Sequence, residues 1–237
     1  MRTVLRHPPA IRILHWINVV ALLVLLTSGL QIFNAHPALY WGRQSYGGHP
    51  PLFSLVHGFP SWATLPASQW LSMGRRWHLF FAWVLVVNGT VYLAYSIASR
   101  HFQRDLRPTR GDLDAIPRSI VDHLLLRRAQ GAEALRYNVL QRLAYLAVIL
   151  FLLPFTILMG MGLSPGLDSL VPGWVDLFGG RQSVRTLHFA GAMGLVAFTA
   201  IHVIEVLLND PVNELRSMIT GRFGVKDDDA PREPGHE

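Results

Sequence analysis

The sequence predicts an all-α integral membrane protein, a four-helix transmembrane bundle with an interfacial loop on its outer side. Its 237 residues are 51% hydrophobic and only 15% charged, whereas about 25% of the residues of a soluble domain are charged. Four apolar runs also reach the length of about 20 residues that a helix needs to cross a bilayer. We therefore predict one transmembrane domain over residues 1–222 and a disordered cytoplasmic tail over residues 223–237.

The first two spans are predicted over residues 13–33 and 77–98. The first span follows Pro8 and Pro9, which disfavour helix. The connector between the spans, residues 34–76, is interrupted by prolines and carries several Trp and Tyr residues. Because these side chains favour the boundary between lipid and water, the connector is predicted to lie at the membrane interface.

The rest of the chain supplies an arginine-rich connector, residues 100–142, and two further spans, residues 143–163 and 183–208. Arginine beside the end of a span marks the cytoplasmic side, and the same bias places both chain termini there. An even number of spans agrees with that placement. Pro154 lies inside the third span and predicts a kink, and residues 164–182 are expected to form a short outer loop.

Charge and cysteine content exclude several classes of function. The formal charge of +6 comes from 20 arginines and one lysine. In a membrane protein this charge reports loop topology, so the expected partner is membrane lipid and no nucleic acid is expected. The chain has no cysteine, which excludes disulfides, thiolate zinc sites, iron–sulfur clusters and covalently attached haem. Any haem must be bound non-covalently.

Two histidines in the fourth span, His188 and His202, are 14 residues apart. This separation is nearly four helical turns, so both side chains leave the same face, about 21 Å apart along the axis. They are too far apart to ligate one metal ion, because metal–nitrogen bonds are about 2 Å long. Ionisable residues inside a span face the bundle interior and indicate function.

The direction of each span assigns a depth to each of four histidines. His78 and His188 fall near the outside, and His15 and His202 near the inside. Each pair could supply both axial nitrogens of a six-coordinate haem iron, an arrangement suited to electron transfer. We therefore predict that these four histidines ligate two non-covalent haem b groups. The alternative for any one of them is a buried histidine that hydrogen-bonds a neighbouring helix.

Five arginines are candidates for binding the haem propionates, because Arg pairs well with carboxylates. Four of them flank the outer histidines, where the positive-inside bias would not place them; they are Arg75, Arg76, Arg181 and Arg185. The fifth, Arg12, lies one turn before His15, although for this residue topology alone is a sufficient explanation.

Glu205 follows His202 by one turn at the inner end of the fourth span. A carboxylate at this position could carry protons for quinone chemistry. The alternative is a solvated carboxylate at a helix end. We predict a role for Glu205 in quinone or proton binding.

Several short motifs resemble one family. They are RILHW near the first span, GRRWH at the second, YNVLQRLAY at the third, and GRQSVRTLHF with IHV in the fourth. Together they resemble the di-haem cytochrome b membrane subunit shared by nickel-iron hydrogenases, formate dehydrogenase (its gamma subunit) and thiosulfate reductase. The resemblance covers most of residues 1–222. It implies an outer haem on His78 and His188, an inner haem on His15 and His202, and quinone beside the inner haem.

The resemblance also implies an electron-transfer subunit of a quinone-linked oxidoreductase complex in the bacterial inner membrane. HPPAIRILHW and the long outer loop resemble members associated with a periplasmic molybdenum oxidoreductase, so a periplasmic redox subunit is the expected partner. Electron flow in either direction is compatible with these residues, and a homo-oligomer is left open. Two alternatives stay open: a stand-alone superoxide-oxidising or ferric-reducing protein, and a haem-free transporter with a histidine proton relay.

Overall fold

The computed structural model describes residues 2–45, 49–67, 69–124 and 138–225. Four helical segments within these residues are long and apolar enough to cross a membrane, as predicted. They are Pro9–Asn34, Leu71–Ala98, Val139–Gly162 and Arg181–Leu208. Many of their apolar side chains are exposed, such as Phe80, Trp83 and Val87 along one face of the second segment. Apolar faces of this kind suit contact with lipid.

The first helix, α1 (Pro9–Asn34), begins four residues before the predicted span. Pro9 does not prevent this start, because a residue in the first helical turn has no helical partner for its N–H. In the connector that follows, β2 (Ala38–Leu39) pairs antiparallel with β3 (Phe53–Ser54). A short 3₁₀ helix covers Ser61–Ala63.

The second helix, α2 (Leu71–Ala98), begins six residues before the predicted span. Arg75 and Arg76 lie within this helix, where the sequence had indicated a connector. Arginines can lie at the end of a span because their long side chains reach back to the polar interface. As a result His78 lies in the third turn of α2, and His15 lies in the second turn of α1.

Part of the arginine-rich connector is helical. It contains a π-helical stretch at Phe102–Leu106, α3 (Arg110–Asp114) and α4 (Ile116–Leu124). The third span then consists of α5 (Val139–Ala147), a π-helical stretch at Val148–Leu152 and α6 (Leu153–Gly162). The π-helical stretch directly precedes Pro154, whose ring and missing N–H disturb regular α-helical hydrogen bonding.

The loop before the fourth span, predicted to lie on the outer side, contains α7 (Pro165–Leu170) and a 3₁₀ helix at Val175–Phe178. The fourth span is α8 (Arg181–Leu208), and it is followed by α9 (Pro211–Thr220). The side chain of Asp210 caps α9 by accepting a hydrogen bond of 3.2 Å from Asn213 N–H. The side chain of Asn138 caps α5 in the same way, with a bond of 3.2 Å from Leu140 N–H.

The two ends of the described chain form a small sheet, in which β1 (Arg2–Leu5) pairs antiparallel with β4 (Arg222–Val225). The prediction of a disordered tail is therefore wrong for residues 223–225. Strand β1, at the other end of the chain, supplies the backbone partners of these residues. In addition, the guanidinium group of Arg6 lies 4.7 Å from the centre of the Phe223 ring. Residues 226–237 of the predicted tail lie outside the described residues.

The chain divides into two compact units that are interleaved along the sequence. Unit 1 comprises Met1–His15, Val91–Ile149 and Phe198–Glu237, and unit 2 comprises Trp16–Thr90 and Leu150–Ala197. In unit 2, a buried cluster is formed by Met159, Val175 and Val184. The single domain predicted for residues 1–222 stays a prediction.

Candidate functional site

In unit 2 the structure brings the rings of His78 of α2 and His188 of α8 close together, edge to face. Their ring centroids are 6.0 Å apart, and the ring planes are inclined at 80°. These are the two histidines to which the sequence assigned a common outer depth.

Hydrogen bonds fix the tautomer of both rings. His188 Nδ1 donates to the carbonyl oxygen of Thr156 at 2.9 Å, and His78 Nδ1 donates to the carbonyl oxygen of Leu25 at 3.1 Å. A carbonyl oxygen can only accept, so the hydrogen of each neutral ring is on Nδ1 and the lone pair is on Nε2. A histidine that ligates a metal has this arrangement, with its second nitrogen held by a backbone carbonyl.

Two glycines leave room beside these rings. A Cβ atom added at Gly160 would lie 2.9 Å from Cε1 of His188, and one added at Gly29 would lie 3.3 Å from Cε1 of His78. Any larger residue at Gly160 would therefore displace the imidazole.

In unit 1 a second pair is formed by His15 of α1 and His202 of α8. Their ring centroids are 6.4 Å apart, and the planes are inclined at 70°. Phe198 stacks on His202 at 6.2 Å with an angle of 10° between the rings. Tyr145 meets the same imidazole edge-on at 6.3 Å. Sequence reasoning missed Tyr145, although its place in YNVLQRLAY, near the inner end of the third span, was a usable signal.

Both pairs fit the axial coordination of a haem iron. With metal–nitrogen bonds of about 2 Å, two imidazoles on opposite sides of one iron have centroids roughly 6 Å apart. Within the described residues, no group of three or more His, Cys, Asp or Glu could hold a metal ion. Each pair therefore offers two ligands only, which suits an iron whose other four ligands are porphyrin nitrogens.

The predicted propionate-binding arginines differ in their surroundings. Arg181 donates to Leu163 O at 2.6 Å, and Arg12 donates to Ile219 O at 2.8 Å. Arg185 donates to Ala38 O at 2.9 Å and also to His36 O. These three guanidinium groups therefore connect α1 and α8 to the backbone of other segments.

Arg75 and Arg76 are both exposed. Neither makes a hydrogen bond or ion pair within the part of the chain that the structure describes. Propionate binding by any of the five arginines stays a prediction. Arg12, Arg181 and Arg185 also have a structural role, because each donates a hydrogen bond to a backbone carbonyl.

Glu205 lies in unit 1 and accepts a hydrogen bond of 3.4 Å from Gln141 Nε2. This bond connects the start of α5 to α8, one turn from His202. The structure leaves the proposed quinone or proton role of Glu205 a prediction.

His7 is a buried residue that lies just before α1. Only 6% of it is exposed. Burial, together with the smaller effect of the nearby charges of Arg6, His101, His15 and Arg12, lowers the pKa of His7 to about 4. His7 is therefore neutral at physiological pH. Its burial depends on the pairing of the two chain ends, which local sequence patterns do not reveal.

Four membrane-spanning helices that carry two pairs of facing histidines define a membrane-bound cytochrome b. The chain belongs to the prokaryotic cytochrome b561 family, whose sequence model matches residues 6–221. It is an integral membrane helical bundle of an electron-transport family, and membership implies that it binds haem b. The family predicted from the sequence motifs is confirmed.

The chain is also similar to a protein of Azospira oryzae named "Putative protein-methionine-sulfoxide reductase subunit YedZ1". The two are 34% identical over 202 residues, which cover 85% of this chain and 90% of the relative. The similarity therefore extends over nearly the whole of both proteins.

Proposed function

We propose that this chain carries electrons across the bacterial inner membrane between the quinone pool and a periplasmic redox subunit. The observation that carries the proposal is that the histidine rings form two close pairs, with centroid distances of 6.0 Å and 6.4 Å. A six-coordinate haem leaves no position open for substrate, so such sites favour electron transfer over substrate chemistry.

In this proposal His78 and His188 hold one haem b, and His15 and His202 hold the other. When bound, each haem supplies a one-electron iron couple. The chain contributes the ligands and their orientation. The carbonyl groups of Leu25 and Thr156 keep the Nδ1 hydrogen atoms in place, so that Nε2 of each outer ring is presented as a ligand.

The proposed partner is a separate catalytic subunit on the periplasmic side, for which the sequence suggested a molybdenum oxidoreductase. The name of the Azospira relative, a reductase subunit for protein methionine sulfoxide, supports a partner that consumes electrons. Reduction of a sulfoxide to a thioether takes up two electrons and two protons and releases water. We therefore infer that electrons flow from quinol through this chain to the partner.

Quinol oxidation is proposed to occur beside the cytoplasmic pair, with both chain termini on that side. Oxidation of a quinol releases two protons as well as two electrons, so a site for it needs a proton acceptor. Glu205, held by Gln141 at 3.4 Å, is the carboxylate one turn from His202. It would accept a proton from the quinol hydroxyl and pass it to the cytoplasmic side.

The test is to add a short-chain quinol to the purified protein in proteoliposomes and to follow haem b reduction in the visible spectrum. We expect rapid reduction in the intact protein and at least tenfold slower reduction in Glu205→Gln, the order of effect for loss of a general base. A haem protein that superoxide reduces and quinol does not would instead be a stand-alone oxidoreductase. A protein without any haem would support the histidine proton relay.

A further inference from the structure

Gln31 is a buried residue of α1 in unit 2. Its side-chain amide takes part in none of the interactions described above. Only 3% of the residue is exposed. Its Oε1 atom has no hydrogen-bond partner among the residues that the structure describes. Leaving a polar group buried and unpaired costs free energy, and a membrane span offers little water to satisfy it. The carboxamide oxygen therefore lacks a partner among the described residues, and a bound group can supply one.

The packing of Gln31 places it next to the outer histidine pair. A Cβ atom added at Gly74 would lie 2.9 Å from Cγ of Gln31, so the stem of Gln31 lies against α2 at Gly74. His78 follows Gly74 by one helical turn and is on the same face. On α1, Ser28 precedes Gln31 by three residues and lies 3.1 Å from Nδ1 of His78. Both helices therefore place the carboxamide one turn from the His78 ring.

The chemistry of the carboxamide narrows the choice of ligand. Rotation about its last bond exchanges the positions of oxygen and nitrogen, so the buried end can present an N–H donor. The peripheral substituents of haem b are hydrocarbon except for two carboxylates, which accept hydrogen bonds strongly. Of the four outer arginine candidates for those carboxylates, Arg181 and Arg185 already donate to backbone carbonyls, and Arg75 and Arg76 are exposed.

We propose that the carboxamide of Gln31 donates a hydrogen bond to a propionate of the haem held by His78 and His188. The inference rests on the proposed function of that pair and adds a haem-contacting residue that is neutral and buried. A neutral donor stabilises the propionate without placing a fixed positive charge beside the iron.

The experiment compares the full-length protein with Gln31→Met, Gln31→Glu and, as a control at an exposed glutamine of unit 1, Gln103→Met. Haem per chain, the two midpoint potentials and the propionate bending band in the resonance Raman spectrum are measured for each. We expect Gln31→Met to shift the band and one of the two potentials. Gln31→Glu lowers that same potential, because an added negative charge favours ferric iron. Gln103→Met leaves the band and that potential unchanged.

The outcomes separate the two levels of the proposal. An intact protein without haem would overturn the proposed function, and this inference with it. If the intact protein holds two haems, a wild-type band and wild-type potentials in both Gln31 variants would overturn the role of Gln31 alone. If Gln31→Met does not accumulate, Gln31→Glu decides, because it has nearly the same shape as glutamine and, when ionised, cannot donate the hydrogen bond.

Discussion

Ser28 Oγ lies 3.1 Å from His78 Nδ1 and joins the first two membrane helices at the outer histidine pair. The same Nδ1 is 3.1 Å from the carbonyl oxygen of Leu25. Ser28 donates its own hydroxyl hydrogen to the carbonyl oxygen of Val24, so its oxygen is free to accept from the imidazole. A shared donor of this kind fixes the rotation of the ring and keeps Nε2 unprotonated.

Replacing Ser28 with alanine is expected to weaken haem binding at this pair without abolishing it. The bond to Leu25 O remains, but the ring loses one of its two restraints. Loss of a partner that orients a metal ligand lowers affinity by about 10- to 100-fold. Transfer of haem to an excess of apomyoglobin measures this loss, and Thr90→Ala, which removes a hydroxyl from α2, is the control. Equal transfer rates for the Ser28→Ala variant and the intact protein would contradict this role.

Gly160→Ala is expected to reduce the haem content from about two to about one per chain. The added methyl group would lie 2.9 Å from Cε1 of His188 and would push the ring away from its place. Gly89→Ala is the matched control, because a Cβ atom at that position has no neighbour within 4 Å. The control should keep both haems, since alanine favours helix over glycine by about 1 kcal/mol. Two haems in Gly160→Ala would show that the ring has more freedom than its packing indicates.

The ion pair between Arg6 and Glu214 is expected to hold the two chain ends together. The two oxygens of Glu214 accept from Arg6 Nη1 at 2.8 and 2.9 Å, and the side chains are only 11% and 24% exposed. Arg6→Ala should destabilise the β1–β4 pair by about 1–3 kcal/mol, because Glu214 is left partly buried and unpaired. Hydrogen exchange of residues 2–5 measures the opening.

The control for this prediction is Arg43→Ala in unit 2. Arg43 pairs with Asp176 at 3.1 Å, but its side chain is 75% exposed. Exposed ion pairs contribute little to stability, about 0–1 kcal/mol. Equal protection of residues 2–5 in the Arg6→Ala variant and the intact protein would contradict the role of the buried pair.

Because His7 is buried in its neutral form, the stability of the β1–β4 pair should depend on pH. Its folded-state pKa is about 4, below the ordinary value of 6.5, so the unfolded state binds more protons between these values. Stability therefore falls as the pH is lowered from about 6.5 towards 4. Besides burial, the charges of Arg6, His101, His15 and Arg12 lower the pKa of His7.

The measurement is hydrogen exchange of residues 2–5 at several pH values, corrected for the intrinsic exchange rate. His7→Gln should remove most of the dependence within this window, since glutamine does not titrate. A dependence of equal size in His7→Gln would assign the effect to another group.

Some parts of this structure follow from the sequence, and others depend on contacts between distant residues. The four spans and the pairing of His78 with His188 were predictable, because apolar length and span direction fix depth. The early start of α2 was not, since Arg75 and Arg76 looked like connector residues although long side chains allow them in a helix end. The bond between Thr156 O and His188 and the pairing of residues 223–225 with β1 depend on tertiary contacts, which no local pattern reports.

The most direct test is a count of haem b per chain in the detergent-purified protein and in His78→Ala and His202→Ala, by pyridine haemochrome. His57→Ala, which replaces an exposed histidine in the connector after α1, is the control. We expect about two haems in the intact protein and the control, and about one in each of the other variants. An intact protein with a single haem, or two haems retained in His78→Ala and His202→Ala, would contradict the paired-ligand assignment.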